Sequence, residues 1–168
     1  MEGADAVTHG VERALSVLAI VVAASRAGGQ TPSPRPYGEF RVDAIGGDGL
    51  TTHVGVGAVI PLGIYVRLGV DAAAGSTWQE KAANASGRVD AIGRFLLDPF
   101  REAPVALSLG GGVSVPYVDG QQHLRAYLTA VVDVEGRKRG RFTPALQIGL
   151  GGGWRAGIVL RASPARWR

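Results

Sequence analysis

Two histidines are the first residues in this sequence that could do chemistry. His53 and His123 each stand near hydroxyl and carboxylate residues, and a His beside a Ser and a carboxylate can activate the hydroxyl as a nucleophile. The hydroxyl and carboxylate residues concerned are Ser76, Ser86, Ser114 and Asp119. Their spacing matches no known catalytic motif, so the sequence predicts no catalytic residues.

Metal and cofactor sites are also not predicted. The chain has no cysteine, which rules out a disulfide framework, a thiolate nucleophile and a Cys-based zinc site. The two histidines lack the HxxxH spacing of a helical zinc site. The glycine triplets at 110–112 and 151–153 lack both the GxGxxG pattern and the Lys-Ser/Thr that follows a phosphate-binding loop, so we interpret them as strand glycines.

The basic residues argue against a nucleic-acid partner. The net charge is +4, only Lys81 and Lys138 are lysines, and the arginines are spread along the chain instead of forming one stripe. The single basic cluster is RKRGR at 137–141, in a predicted turn. A solvated turn is the simpler interpretation, and contact with anionic lipid head groups or another envelope polymer stays open.

An apolar segment near the N-terminus predicts export. Residues 14–24 read ALSVLAIVVAA, which is shorter than the ~20 residues of a membrane-spanning helix but typical of a signal-peptide core. Small residues follow it, so we expect a cleavable signal peptide over residues 1–27. Residues 28–36 form a Pro- and Gly-rich spacer.

The residues before this apolar segment are acidic, although export signals usually begin with positive charge. Glu2, Asp5 and Glu12 outnumber Arg13. We therefore expect translation to start downstream, for example at the position of Val7 or Val11.

From Tyr37 to Ala162 apolar residues recur at every second position in eight successive runs, as in strands with one apolar and one polar face. Turn residues separate the runs, and most connections are short, which favours hairpins over crossovers. The sequence thus predicts an all-β fold: an eight-stranded antiparallel up-and-down barrel over residues 37–162. A C-terminal tail follows at residues 163–168.

Alternation alone does not say which face points inward. A soluble lipocalin-like barrel that carries an apolar ligand shows the same alternation with its apolar face inside. The polar face carries six carboxylates and seven guanidiniums, a nearly balanced set that can pair inside a lumen, and Arg suits bidentate pairing better than Lys. We therefore predict a charged lumen in a transmembrane barrel. Its members are Glu39, Arg41, Asp43, Arg67, Asp71, Arg88, Asp90, Arg94, Arg125, Asp133, Glu135, Arg155 and Arg161.

A periplasmic N-terminus would set the orientation of such a barrel. The connections at residues 73–85 and 116–122 would then face outward and could meet extracellular partners. On the apolar face, Phe95, Phe142 and Trp154 are candidate anchors at the membrane interface.

With a signal peptide, eight alternating strands, unequal loops and an Arg/carboxylate lumen, the chain resembles the small outer-membrane barrels typified by the transmembrane domain of outer membrane protein A. The resemblance covers residues 37–162 and rests on architecture. It implies a monomer in the outer membrane of a Gram-negative-type bacterium, in contact with outer-membrane lipid, with a structural or interaction role through its loops. Two alternatives remain: a lipid-modifying barrel enzyme that uses His53 or His123, and a soluble periplasmic lipocalin-like carrier of an apolar ligand.

Overall fold

The computed structural model describes residues 35–47, 49–79, 82–100, 102–119 and 125–162. These residues form eight antiparallel strands that close into a barrel in sequence order. The predicted eight-stranded antiparallel barrel is confirmed. The expected signal peptide, residues 28–34 of the spacer and the tail at 163–168 lie outside the described residues.

The strands lengthen toward the middle of the chain. The four longest are β2 to β5, and β1 and β6 to β8 are shorter. Their bounds are β1 (Tyr37–Gly46), β2 (Leu50–Pro61), β3 (Val66–Gln79), β4 (Ala82–Leu96), β5 (Ala106–Val118), β6 (Tyr127–Glu135), β7 (Phe142–Leu150) and β8 (Trp154–Ala162).

The register of the strands fixes how they tilt. A path that steps from each residue to its partner leaves β5 at position 106 and returns to it at position 116, a stagger of ten residues. The path runs through Ala106, Glu135, Ala145, Val159, Arg41, Gly55, Ala73, Arg88 and Pro116. With a rise of ~3.3 Å per residue and strands ~4.7 Å apart, this stagger corresponds to a tilt of about 40°.

The outer face of the barrel is apolar and the inner face is charged. Among outward side chains Val56 is 64% exposed and Ile158 is 60% exposed, whereas the inward Arg41 and Asp90 are fully buried. The described interior therefore offers no apolar chamber of the kind that a carrier for an apolar ligand needs.

The connection expected at residues 73–85 is not a loop. β3 and β4 pair continuously up to Gln79 and Ala82, so only positions 80–81 connect them. The prediction of a long outward loop here is wrong. The physical reason is that this stretch consists mainly of Ala, Gly, Ser and Thr, whose similar polarity hides the alternation of a strand.

The connection expected at residues 116–122 is also shorter than predicted. Pro116 to Val118 continue β5 and pair with β4, so the prediction is wrong for residues 116–118, and the turn begins at Asp119. Pro116 has no N–H to donate. It is tolerated because the pairing of β5 with β6 ends before it, at Ser114 and Tyr127.

The turns define two ends of the barrel. The distal end carries the turns that follow β1, β3, β5 and β7. The terminal end carries the turns at 62–65, 97–105 and 136–141, together with the start of β1 and the end of β8. In the distal turn at 151–153, Gly152 and Gly153 have φ angles of 71° and 145°, which residues with a side chain rarely adopt.

No helix among the described residues is long and apolar enough to cross a membrane.

Candidate functional site

Opposite charges fill the inside of the barrel in equal number. We call these side chains the interior charge network. All are buried except Arg67, whose side chain is 17% exposed. The carboxylates are Glu39, Asp43, Asp71, Asp90, Asp133 and Glu135, and the guanidiniums are Arg41, Arg67, Arg88, Arg94, Arg155 and Arg161.

Arg125, predicted as the seventh guanidinium, does not join the network. It precedes β6, which starts at Tyr127, and it is exposed. The prediction is wrong because Arg125 keeps the phase of the inward residues of β6 but lies beyond the strand. Without it, six positive charges face six negative charges.

In the terminal half of the barrel, Arg161 is the main connector. Its Nη2 lies 2.5 Å from Asp133 Oδ2, its Nη1 donates to Glu135, and its Nε lies 3.3 Å from Glu39. Arg67 of β3 reaches Glu135 of β6 at 2.7 Å. The bonds to Asp133 and Glu135 join strands that are not neighbours in the barrel wall, whereas Arg161 and Glu39 lie on the paired strands β8 and β1.

Gln147 is a neutral, fully buried side chain at the centre of the interior charge network. Its Oε1 accepts hydrogen bonds from Arg41 and from Arg155, and its Nε2 donates to Asp133 Oδ1 at 2.6 Å. Gln147 is not among the interior residues predicted from the sequence. Its alternation with the outward Leu146 and Ile148 of β7 was the available signal.

In the distal half, two carboxylates each hold two guanidiniums. Asp43 Oδ2 lies 2.8 Å from Arg41 Nε and 2.6 Å from Arg88 Nη2. Asp90 Oδ2 lies 3.0 Å from Arg88 Nε and 2.7 Å from Arg155 Nη1. Through these shared carboxylates and Gln147, the contacts run continuously from one half of the barrel to the other.

Glycine makes room for these side chains in a narrow barrel. Gly157 of β8 is the register partner of Asp43, and a Cβ added at Gly157 would lie 2.8 Å from the carbonyl oxygen of Val42 and 3.1 Å from Asp43 Cγ. An alanine there would therefore push Asp43 away from its two guanidiniums. Of the two triplets interpreted as strand glycines, residues 110–112 lie in β5, whereas residues 151–153 form the turn between β7 and β8, so the prediction is wrong for the second triplet.

A second feature is a cavity of about 150 Å³ at the distal end, which we call the rim cavity. Its floor holds the buried pair His53 and Ser86, with His53 Nε2 3.0 Å from Ser86 Oγ. Gly75 stands between these two residues in the register of β2, β3 and β4, so no side chain separates them. Arg88 and the buried Ser114 also line the cavity.

The other residues considered for hydroxyl chemistry do not gather at this pair. Ser76 shares the outward face of β3 with Trp78. Asp119 is exposed in the turn after β5. His123 lies outside the described residues. The described chain thus offers a Ser–His pair, and both carboxylates nearest to it, Asp43 and Asp90, are bound to arginines.

Aromatic side chains stand on the outer face near both ends. The three predicted anchors, Phe95, Phe142 and Trp154, are each about half exposed. Trp154, Gly46, Leu50 and Trp78 follow one another as register partners, so the two tryptophans lie at one level of the distal end. At the terminal end the ring of Phe95 stacks on that of Tyr65, with centroids 5.8 Å apart.

The basic cluster of the sequence lies in the terminal-end turn between β6 and β7. Arg137, Lys138, Arg139 and Arg141 are all exposed, and we call them the basic turn. The next residue, Phe142, begins the apolar outer face of β7. The basic turn also borders a cavity of about 440 Å³ against the turn that holds Glu102 and Pro104.

The fold and the interior define a closed eight-stranded barrel that is apolar outside and ionic inside. The chain matches no protein-family model and no curated protein. Within the described residues, no group of three or more His, Cys, Asp or Glu side chains could hold a metal ion.

Proposed function

We propose that this chain is a monomeric outer-membrane barrel with a structural or interaction role, and that its filled, charged interior keeps it from acting as an open pore. The observation that carries the proposal is the direction of the two faces. Apolar side chains cover the outside, while the carboxylates and guanidiniums of β1, β3, β4, β6 and β8 point inside. Exposing this apolar outer face to water would cost free energy, whereas contact between the same face and lipid is favourable.

The dimensions of the barrel support a membrane-spanning role. β1 has ten residues. At ~3.3 Å per residue this is about 33 Å along the strand, and at a tilt of about 40° it gives roughly 25 Å along the barrel axis. This height agrees with the ~25 Å apolar band of outer-membrane barrels.

The outer aromatic residues fit the same interpretation. Trp78 and Trp154 near the distal end, and Tyr65, Phe95 and Phe142 near the terminal end, stand where the two membrane interfaces would lie. The apolar belt between them carries Val54, Val56 and Ile158. Outer-membrane lipid is therefore the first partner that we propose.

An outer-membrane location is supported by the sequence of the N-terminal segment. The apolar core at residues 14–24 has the length of a signal-peptide core. With the N-terminus of the barrel in the periplasm, the distal-end turns would face the outside and would be the surface for extracellular partners.

A fractionation experiment combined with a heat-modifiability gel tests this function. We expect the protein in the outer-membrane fraction, with a change of electrophoretic mobility on boiling because the folded barrel resists detergent. Recovery as a soluble periplasmic protein, without any heat-dependent change, would refute the proposal.

A lipid-modifying enzyme is the second candidate, and the hydrogen bond between His53 and Ser86 favours it. His53 could act as general base toward the Ser86 hydroxyl in ester cleavage. The test is hydrolysis of short-chain and long-chain lipid esters by the folded protein and by S86A. The matched control is S108A, since Ser108 is another buried strand serine but contacts Asp133 in the interior. Equal activity of both variants would exclude Ser86 as the nucleophile.

A further inference from the structure

Two buried side chains that line the rim cavity have nitrogens without a hydrogen-bond partner among the described residues, namely His53 Nδ1 and both Nε and Nη1 of Arg88. Arg88 Nε still lies 3.0 Å from Asp90, so Arg88 Nη1 and His53 Nδ1 are the two that have neither a hydrogen bond nor an ion pair. We propose that the cavity binds a phosphate group at these two nitrogens. This site goes beyond the proposed structural role and does not depend on it.

Arg88 supplies the charge of this site. Its Nη2 lies 2.6 Å from Asp43 and its Nε lies 3.0 Å from Asp90, which leaves Nη1 as the free corner of the guanidinium. The residue is only 4% exposed. A buried guanidinium N–H can only donate, and leaving it unpaired costs free energy, so an acceptor oxygen is the group that it lacks.

His53 supplies the second donor. It is 2% exposed, and its Nε2 is already engaged with Ser86 Oγ at 3.0 Å. When the Ser86 hydroxyl donates to Nε2, the proton of the neutral ring sits on Nδ1, which then donates as well. Because His53 and Arg88 both line the cavity, each has an N–H group to offer to a ligand there.

The charges around Arg88 balance one another, so the preference for an anion rests on the Arg88 N–H that has no acceptor. Asp43 and Asp90 both contact Arg88. Asp43 also contacts Arg41, and Asp90 also contacts Arg155, so the two carboxylates contact three guanidiniums. Of the three, Arg41 also contacts Asp71. Hydrogen bonds from a guanidinium to an anionic oxygen are shorter and stronger than those to a neutral acceptor.

The size of the cavity limits what can enter. A volume of about 150 Å³ equals that of about five waters at ~30 Å³ each. One phosphate group with a few waters fits this space, whereas a lipid acyl chain does not. The hydroxyls of Thr51, Thr77 and Ser114 on the cavity wall can hydrogen-bond the remaining oxygens.

The experiment is a titration of the detergent-folded protein at constant pH and ionic strength, followed by isothermal titration calorimetry. One arm uses inorganic phosphate and the other uses lysophosphatidic acid in mixed micelles, with micelles of the neutral detergent as blank. Saturable binding of phosphate identifies a free anion as ligand, and binding of the lipid alone identifies a head group. A response to neither probe overturns the proposal.

Two variants with the same change of charge locate the site. R88Q removes the free donor, and we expect it to weaken binding about tenfold or more. R67Q removes a guanidinium at the terminal end and should leave the dissociation constant within about twofold. Equal weakening by both variants would contradict a site in the rim cavity.

A third variant covers the case in which R88Q does not fold, as judged by the heat-modifiability gel. H53F keeps a ring in the cavity but removes the Nδ1 donor, and we expect binding to weaken about fivefold or more. Unchanged binding by H53F would also overturn the proposal. Because the gel reports barrel folding separately, failure of this site is distinguishable from failure of the proposed membrane function.

Discussion

Arg155 of β8 and Asp90 of β4 stand on opposite walls of the barrel, and their side chains meet across the interior at 2.7 Å. Both residues are almost completely buried. The bond therefore links strands that share no backbone hydrogen bonds, and each partner is held by a further contact, Arg155 with Gln147 and Asp90 with Arg88.

We predict that R155M lowers the free energy of unfolding by about 3–5 kcal/mol, because it leaves Asp90 buried with less compensation. The double variant R155M/D90L removes both charges and should lose less than the sum of the two single variants. Urea unfolding in detergent measures these values. R137M, which removes an exposed charge, is the control and should stay within about 0.5 kcal/mol of the parent. Strictly additive losses would contradict a direct link between Arg155 and Asp90.

The glycine triplet at 110–112 offers a test of which face of β5 is crowded. At Gly112 a Cβ would lie 2.8 Å from the Cα of Ile92, whereas at Gly111 the nearest atom would be the carbonyl oxygen of Thr129 at 3.7 Å. We predict that G112A destabilises the barrel by about 1–3 kcal/mol through overpacking. G111A should change stability by less than about 0.5 kcal/mol. The reverse order in thermal unfolding would mean that the register of β5 is different.

The period of two in the sequence was sufficient to predict the strands and the inward residues that carry charge. Between residues 73 and 85 most side chains on both faces are small, so polarity does not alternate, and the adjoining ends of β3 and β4 were predicted as a loop. Arg125 was misassigned for the opposite reason: its phase was correct, but the phase does not say where a strand begins.

The contacts inside the barrel were less predictable than its faces. Which carboxylate meets which guanidinium depends on the ten-residue stagger around the whole barrel, and a one-residue shift in any pair of strands changes it. The pairing of His53 with Ser86 has the same origin, because the two are brought together by the registers of β2 with β3 and of β3 with β4. No local pattern in the sequence records these registers.

The outer face allows a direct test of the lipid environment. Ile158 lies at the middle of β8, and Leu62 lies in a turn of the terminal end, although both are well exposed. We predict that I158R makes folding into lipid vesicles less favourable by about 2–4 kcal/mol, because the guanidinium would sit in the middle of the apolar belt. L62R makes the same chemical change near the interface and should cost at most about 1 kcal/mol. If the two variants fold equally well, the belt does not face lipid.

The basic turn predicts a preference for anionic lipid. Arg137, Lys138, Arg139 and Arg141 are exposed directly beside Phe142, which would place them at the head groups when the outer face of β7 is in a bilayer. Basic residues near an anionic surface contribute about 1 kcal/mol each, and salt screens the attraction. We therefore expect the parent to bind vesicles with phosphatidylglycerol more tightly than vesicles of phosphatidylcholine. Replacing the four residues by Gln should abolish this difference while leaving folding into phosphatidylcholine vesicles unchanged. A preference for anionic vesicles that survives both the replacement and high salt would assign it to another part of the barrel.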